Sequence, residues 1–314
     1  MKKLTYIFPI YNESGNIDLL YKTIIKTIRP IQKKYNFEFI FINDGSKDNS
    51  LELLSELADK DERIFIIDFA RNFGHQIAVT AGIDHATGDA IIIMDSDMQD
   101  PPSVSLELIN KWEEGYDVAY AQRKSRKDTI FKKVTADMYY RFLHKVASID
   151  IPRNTGDFRL IDRKIAEEMK KYSEHNRFLR GLISNIGFKQ IGVSFDRDER
   201  HSGKTGYPLS KMIKFAADGI MGFSSAPLKL ISGIGYFMSG ISLLSIIYAV
   251  CVKLFTPHNV VDGWTFIVIS IFFVGGMQLI MLGVLGSYIG RIYTEVQNRP
   301  LYAIKNIYNN KNKK

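Results

Sequence analysis

Cysteine is almost missing from this sequence, with Cys251 the single example. One thiol cannot close an intrachain disulfide. The six histidines stand at no zinc-ligand spacing, so a structural zinc site is excluded as well. Cys251 lies in an apolar run and reads as a small buried side chain. Tryptophan occurs only at Trp112 and Trp264. No Gly-x-Gly-x-x-Gly follows the first apolar run, which removes a nicotinamide dehydrogenase from consideration. Gly203-Lys204-Thr205 has the tail of a P-loop, but Asp198 stands where its first glycine is required, so that motif is rejected too. Met1 to Pro9 starts like a signal peptide, yet its apolar stretch is short and Asn12 and Glu13 follow at once. The expectation is no signal peptide and an N-terminal domain in the cytoplasm. Charge is scarce between residues 230 and 290, where Lys253 and Asp262 are the main exceptions before Arg291.

What is present divides the 314 residues in two. Hydrophobic residues make up 46% and charged residues 24%, enough apolar material for a sizeable core. In the first two-thirds, strand-like runs alternate with helical spacing. Leu4–Phe8, Phe37–Ile42, Arg63–Phe69, Ala90–Met94 and Asp117–Ala121 read as strands. Ile17–Ile28, Asn49–Leu57 and Gln76–His85 read as helices. Near-continuous apolar strands between helices predict a mostly parallel sheet covered on both faces. Ligands bind such sheets at the carboxyl ends of the strands. That singles out Asn12 and Glu13, Asp44, Asp68, Arg71 and Asn72, and Asp95 with Asp97.

The last third predicts a membrane hairpin. Leu230–Phe255 and Trp264–Tyr288 are each long enough to span about 30 Å of hydrocarbon. Thr256–Gly263 between them carries no Lys or Arg, whereas both outer flanks are basic. This places both termini in the cytoplasm and the short loop outside. Lys211–Phe223 is amphipathic and fits either an interface helix or a helix packed on the core. The boundaries so read are 1–207 for a soluble domain, 208–229 for the amphipathic region, 230–290 for two transmembrane helices and 291–314 for a basic cytoplasmic tail. The net charge of +8 is a juxtamembrane excess on this reading, and no nucleic-acid partner is expected.

The chemistry-bearing residues lie just after the strands. Asp95-Ser96-Asp97 closes a buried run, and two carboxylates there can hold Mg²⁺ or Mn²⁺ together with the phosphates it bridges. Asp44 in Asn43-Asp44-Gly45-Ser46 fits a turn, or a carboxylate that accepts a base N–H or a ribose hydroxyl. Arg200 to Tyr207 is a basic loop with two glycines, in which Arg200 and Lys204 suit phosphate. Asp157 in Thr155-Gly156-Asp157-Phe158-Arg159-Leu160 fits a cap or a turn. His75 and His201 read as polar surface.

Taken together and in this order, the motifs resemble glycosyltransferase family 2. Within it they resemble the polyprenyl-phosphate glycosyltransferases of the bactoprenol glucosyltransferase and dolichol-phosphate mannose synthase type. Pro9-Ile10-Tyr11-Asn12-Glu13, Asn43 to Ser46, Arg71 to His75, Asp95 to Pro102, Thr155 to Leu160 and Arg200 to Tyr207 carry the resemblance, which covers the whole chain. It implies an α/β GT-A (Rossmann-like) nucleotide-sugar domain with a C-terminal two-helix transmembrane hairpin. Pro9, Tyr11, Glu13, Asp44 and Asn72 would hold the nucleotide-sugar, and Asp95 and Asp97 the metal and diphosphate. Asp157 would be the catalytic aspartate, with Asp97 beside it. The implied reaction is inverting transfer of one hexose from UDP-glucose or UDP-N-acetylglucosamine to polyprenyl phosphate, in contact with membrane lipid; a homo-oligomer is left open. The absence of a Gln-x-x-Arg-Trp segment argues against polymer growth. An acceptor phosphate with a second pKa of about 6 is already anionic near neutral pH. Whether Asp157 is a base or a positioning group therefore stays open, as does a non-catalytic scaffold on a decayed transferase domain.

Overall fold

The apolar runs at the start of the chain become neighbouring strands. A computed structural model describes residues 1–123, 155–175, 177–196 and 263–309, together with Pro152 and parts of 227–244. Its elements begin with β1 (Lys2–Ile10), α1 (Ser14–Ile28), β2 (Tyr35–Asn43), α2 (Ser50–Lys60), β3 (Ile64–Phe69), α3 (His75–His85), β4 (Ala90–Ile93) and α4 (Val104–Glu113). They continue with β5 (Val118–Arg123), β6 (Thr155–Asp162), α5 (Arg163–Lys170), α6 (Leu179–Ile186), β7 (Gln190–Phe195), α7 (Trp264–Gln297) and β8 (Ile304–Asn309).

These strands form one eight-stranded sheet in the order β7-β5-β6-β4-β1-β2-β3-β8. β1 pairs in parallel with β2 and β4, β2 with β3, and β5 with β7. β6 is antiparallel to both β4 and β5, and β8 is antiparallel to β3. The sheet is therefore mixed rather than uniformly parallel. Because β6 is reversed, its first residues arrive at the edge where β1 to β5 finish.

Alternation along the strands divides the core between the two faces. Tyr6, Phe8, Phe39 and Phe41 pack with α1, α2 and α4, and the Phe8 and Phe41 rings stack 4.9 Å apart. Ile7, Ile40, Ile42 and Ile67 pack with α3, α5 and α6 on the other face. Each such side chain, fully buried, contributes about 1.5–3 kcal/mol by leaving water. Buried on both faces, the central strands can be apolar at every position, which is why they were readable as continuous runs.

α7 spans 34 residues, nine beyond the predicted end at Tyr288. Within it Phe273–Gln297 has a mean hydropathy of 1.5 and is uncovered by protein, with Leu279 and Leu282 exposed. It is the one helix among the described residues long and apolar enough to cross a membrane. Residues 230–238 are helical, but most of the predicted first span beyond them lies outside the described residues. So do Cys251, the loop 256–262, the predicted helix Lys211–Phe223, and Arg200 and Lys204.

The chain then turns back. Part of the segment read as a basic tail becomes β8, an edge strand on β3. The last turn of α7 is also tied to the domain through His175. Its backbone N–H and its Nδ1 reach the two carboxylate oxygens of Glu295 at 2.9 and 3.0 Å, and its Nε2 lies 2.7 Å from the Arg299 carbonyl. Both ring nitrogens face acceptors, so the contact requires the doubly protonated ring. The bond to Glu295, then that to the Arg299 carbonyl, raises the His175 pKa, while the Arg177 cation opposes it. With a raised folded value, the tie is complete below about pH 6.5 and fades as pH climbs through that value. Wild-type protein should thus melt above His175→Gln at pH 6, with the gap closing on alkaline titration; a pH-independent gap would contradict the tie.

Candidate active site

Two corners of the carboxyl edge collect the polar residues. At the first, Asp44 leaves β2 and is only 3% exposed. Its Oδ1 accepts from the Phe73 N–H at 2.6 Å, and its Oδ2 from the Gly74 N–H at 2.9 Å and Asn72 Nδ2 at 3.0 Å. Burial raises its pKa, against the pull of the two amides. Gly45, at φ +66, makes the arrangement possible: a Cβ there would lie 2.6 Å from the backbone of Arg71 and Asn72. Asp44 and Asn72, predicted from separate motifs, are thus one hydrogen-bonded unit. The β1 end stands alongside, with Asp44 N–H bonded to the Ile10 carbonyl at 2.8 Å and Tyr11 45% exposed. Glu13 donates its N–H to Ser50 Oγ, and Pro9 offers its carbonyl to Ser96 Oγ.

The second corner forms where β4 and β6 meet. Their antiparallel register ends at Ile93 opposite Arg159, and two more residues bring Asp95 opposite Asp157. His75, the first residue of α3, lies between them, with Nε2 3.0 Å from Asp157 Oδ2 and 3.5 Å from Asp95 Oδ1. Gln76 Nε2 donates to Asp157 Oδ2 at 3.1 Å, and Arg180 Nε to Asp157 Oδ1 at 2.7 Å. Gln76 Oε1 accepts in turn from the Leu179 N–H, at the start of α6. Asp157 is therefore a carboxylate gripped from both sides.

The electrostatics reflect this geometry. Burial works to raise the Asp157 pKa, but the Arg180 charge and the His75 bond hold it well below the usual carboxylate range. Burial would lower His75, yet its bond to Asp157 and the charges of Asp95 and Asp157 push it up to about 9. Asp95 is pushed up to about 6 by burial and, further, by the carboxylates of Asp157, Asp100 and Asp97, with His75 opposing.

A divalent cation fits this corner on two observations. Asp95 Oδ1 is buried and takes no hydrogen bond, with His75 Nε2 3.5 Å away and committed to Asp157, which leaves it an acceptor that a metal cation would satisfy. Asp97 comes on the next turn, where Met98 adopts φ 59 and the Gln99 N–H binds Asp97 Oδ1 at 3.1 Å. No cluster of three His, Cys, Asp or Glu ligands exists among the described residues. Two carboxylates with substrate phosphate completing the shell suit Mg²⁺ or Mn²⁺ better than a closed protein cage.

Three participants escaped the sequence reading. His75, taken for polar surface, stands at the centre. Arg180 had no signal, being 23 residues from Asp157 and on another element. Arg123 ends β5 with its guanidinium 3.3 Å from Asp100 and its Nε buried without a partner. Gly156 makes room for it, since a Cβ there would come within 3.2 Å of Arg123.

Residues 5–170, which include both corners except Arg180, match the family model for glycosyl transferase family 2. The chain belongs to this family. The glycosyltransferase is 50% identical over 309 residues to the uncharacterized glycosyltransferase YkcC of Bacillus subtilis, covering 98% of this chain and 95% of that one. It is 40% identical to the SfII prophage-derived bactoprenol glucosyl transferase of Shigella flexneri, over 96% and 97% of the two chains. Among solved structures it is similar to the mannosyltransferase PcManGT from Pyrobaculum calidifontis in complex with GDP-Man and Mn²⁺, at 17% identity and a TM-score of 0.44, over 91% and 86% of the chains. The glycosyltransferase thus carries its family's GT-A domain on a mixed sheet, and its activity is transfer of a glycosyl group.

Proposed function

We propose that this glycosyltransferase moves one hexose from a UDP-sugar to a polyprenyl phosphate at the cytoplasmic face of a membrane. The observation that carries the reading is the second corner: the orphan Asp95 oxygen, Asp97 and the gripped Asp157 converge at the edge where such sheets bind ligands. The bactoprenol glucosyl transferases that match nearly the whole chain support a polyprenyl acceptor and make UDP-glucose the first donor to test, ahead of UDP-N-acetylglucosamine. A scaffold without activity is disfavoured, because Asp44, Asp95, Asp97 and Asp157 are all present and gathered at one edge of the sheet.

In this reading Asp44, fixed by three donors, keeps one acceptor position on Oδ1 for the nucleoside, with Tyr11, Pro9 and Glu13 beside it. Asp95 and Asp97 would hold Mg²⁺ or Mn²⁺, which supplies charge neutralisation for the departing diphosphate. The anionic acceptor oxygen attacks the anomeric carbon as the bond to the diphosphate breaks, giving polyprenyl-phosphate-hexose and UDP with inversion. Asp157 orients His75, Gln76 and Arg180 around the reacting groups rather than removing a proton, since all three donors already occupy its oxygens. Arg123, Arg200 and Lys204 supply cations for the phosphates. A hairpin with both termini on the cytoplasmic side is supported by β8, which returns the end of α7 to the catalytic sheet. The boundaries 1–207, 208–229, 230–290 and 291–314 remain part of this proposal.

The test is mass spectrometry of lipids from membranes holding the enzyme, supplied with a panel of nucleotide-sugars. The expected product is a polyprenyl phosphate heavier by one hexose, from UDP-glucose. A panel that yields no glycosylated lipid while free sugar is released would overturn the acceptor.

A further inference from the structure

The segment after α7 does more than fill a sheet edge. β8 pairs with β3 along Phe65 to Phe69, with an irregularity at Asp68 and Phe69, and the Ala70 N–H continues the contact to the Ala303 carbonyl at 3.0 Å. Pairing therefore extends into the first residue of the β3–α3 loop. Tyr302 then stacks on Phe69 with ring centroids 5.2 Å apart, and its hydroxyl donates to Asp84 of α3 at 2.9 Å. Phe69 in turn meets Phe73 edge-on at 5.5 Å. Phe73 is the residue whose N–H holds Asp44, and Gly74 and Asn72, which also bind Asp44, flank it. A set of contacts thus runs from Tyr302, in the segment after α7, through Phe69 and Phe73 to the buried carboxylate of the donor corner.

We infer that Tyr302 is a positioning residue for the nucleoside diphosphate: it seats the β3–α3 loop, and donor binding depends on the docking of the segment beyond α7. The loop is held on one side by Asp44 and on the other by this ring stack. Gly74 sits at φ +99, Arg71 makes its contacts within the loop over Asn72 and Phe73, and the Phe73 ring is only partly buried. Without the Tyr302–Phe69–Phe73 stack, the two amides and Asn72 lose the register in which they meet Asp44. The inference rests on the donor reading above and deepens it, because it makes the chain beyond the membrane helix part of the nucleotide site.

The experiment is calorimetric titration of UDP with Mn²⁺ into full-length enzyme in detergent, with hydrogen exchange over residues 70–75. Tyr302→Ala should weaken UDP binding roughly three- to tenfold, the range expected for aromatic pairing. It should raise the donor KM more than it lowers kcat, and it should deprotect the loop amides. Tyr302→Phe, which keeps the stack, should restore binding to within about twofold of wild type. If Tyr302→Ala is not recovered folded, Phe73→Leu removes the Phe69–Phe73 contact, the last link of the same series, and should show the same loss. Wild-type affinity in the stack-breaking variant, or equal loss in Tyr302→Phe, overturns the inference while leaving the donor reading intact. A wild-type enzyme that does not bind UDP overturns both.

Discussion

Asp97→Asn is expected to lower hexose transfer by about two to three decades, the scale of removing one group that stabilises developing charge. The side chain lies on the turn after β4, bonded to the Gln99 N–H, a contact that the amide oxygen of Asn keeps. The melting temperature should stay near wild type, and exhaustive chelation should bring wild-type enzyme down to the same residual rate. Asp95→Asn should lose as much activity yet melt no lower than wild type in chelator. Its Oδ1 makes no hydrogen bond, and burial with the carboxylates of Asp157, Asp100 and Asp97 outweighs the attraction of His75 at 3.5 Å, so its charge is held at a net cost. A residue kept at a cost to stability is expected where function requires it. Full activity in chelator would remove the metal from the reading altogether.

The second large effect concerns Asp157 and Arg180. Each of Asp157→Asn and Arg180→Ala should slow turnover by about two decades, because truncating one partner of a buried ion pair leaves the other charge uncompensated. The double variant should lose about as much as either single one, since both belong to one network in contact. A catalytic base predicts otherwise. Removing Arg180 would make Asp157 more basic, and Arg180→Ala would keep or gain rate. Activity should also rise as pH passes the acceptor's second pKa of about 6, and Asp157→Asn should retain that limb, because the phosphate and not the carboxylate titrates there. Strict additivity of the two losses, or disappearance of the limb in Asp157→Asn, would return Asp157 to the role of base.

The sequence alone determined the strands β1 to β4 and the helices between them, together with the motifs at their ends. Strands buried on both faces are apolar at every position, and local composition records that directly. Asp44, Asn72, Asp95 and Asp97 were legible for the same reason, because each stands within four residues of the end of such a run. β6 was not legible. Its segment Thr155–Asp162 buries Asp157 and Arg159, charges that suit a turn until Arg180 and Gln76 arrive from elsewhere for Asp157 and the Gly156 carbonyl of the same strand takes up Arg159. β7 and β8 are short edge strands with polar residues such as Gln190, Lys305 and Asn306, which periodicity does not separate from loop. Only the tertiary structure decided that β6 runs against its neighbours, placing Asp157 opposite Asp95 with His75 between them. Only it returned the chain after α7 to the edge of β3. These pairings join residues more than 30 positions apart in sequence, and their energy comes from burial and charge partners that no local window contains.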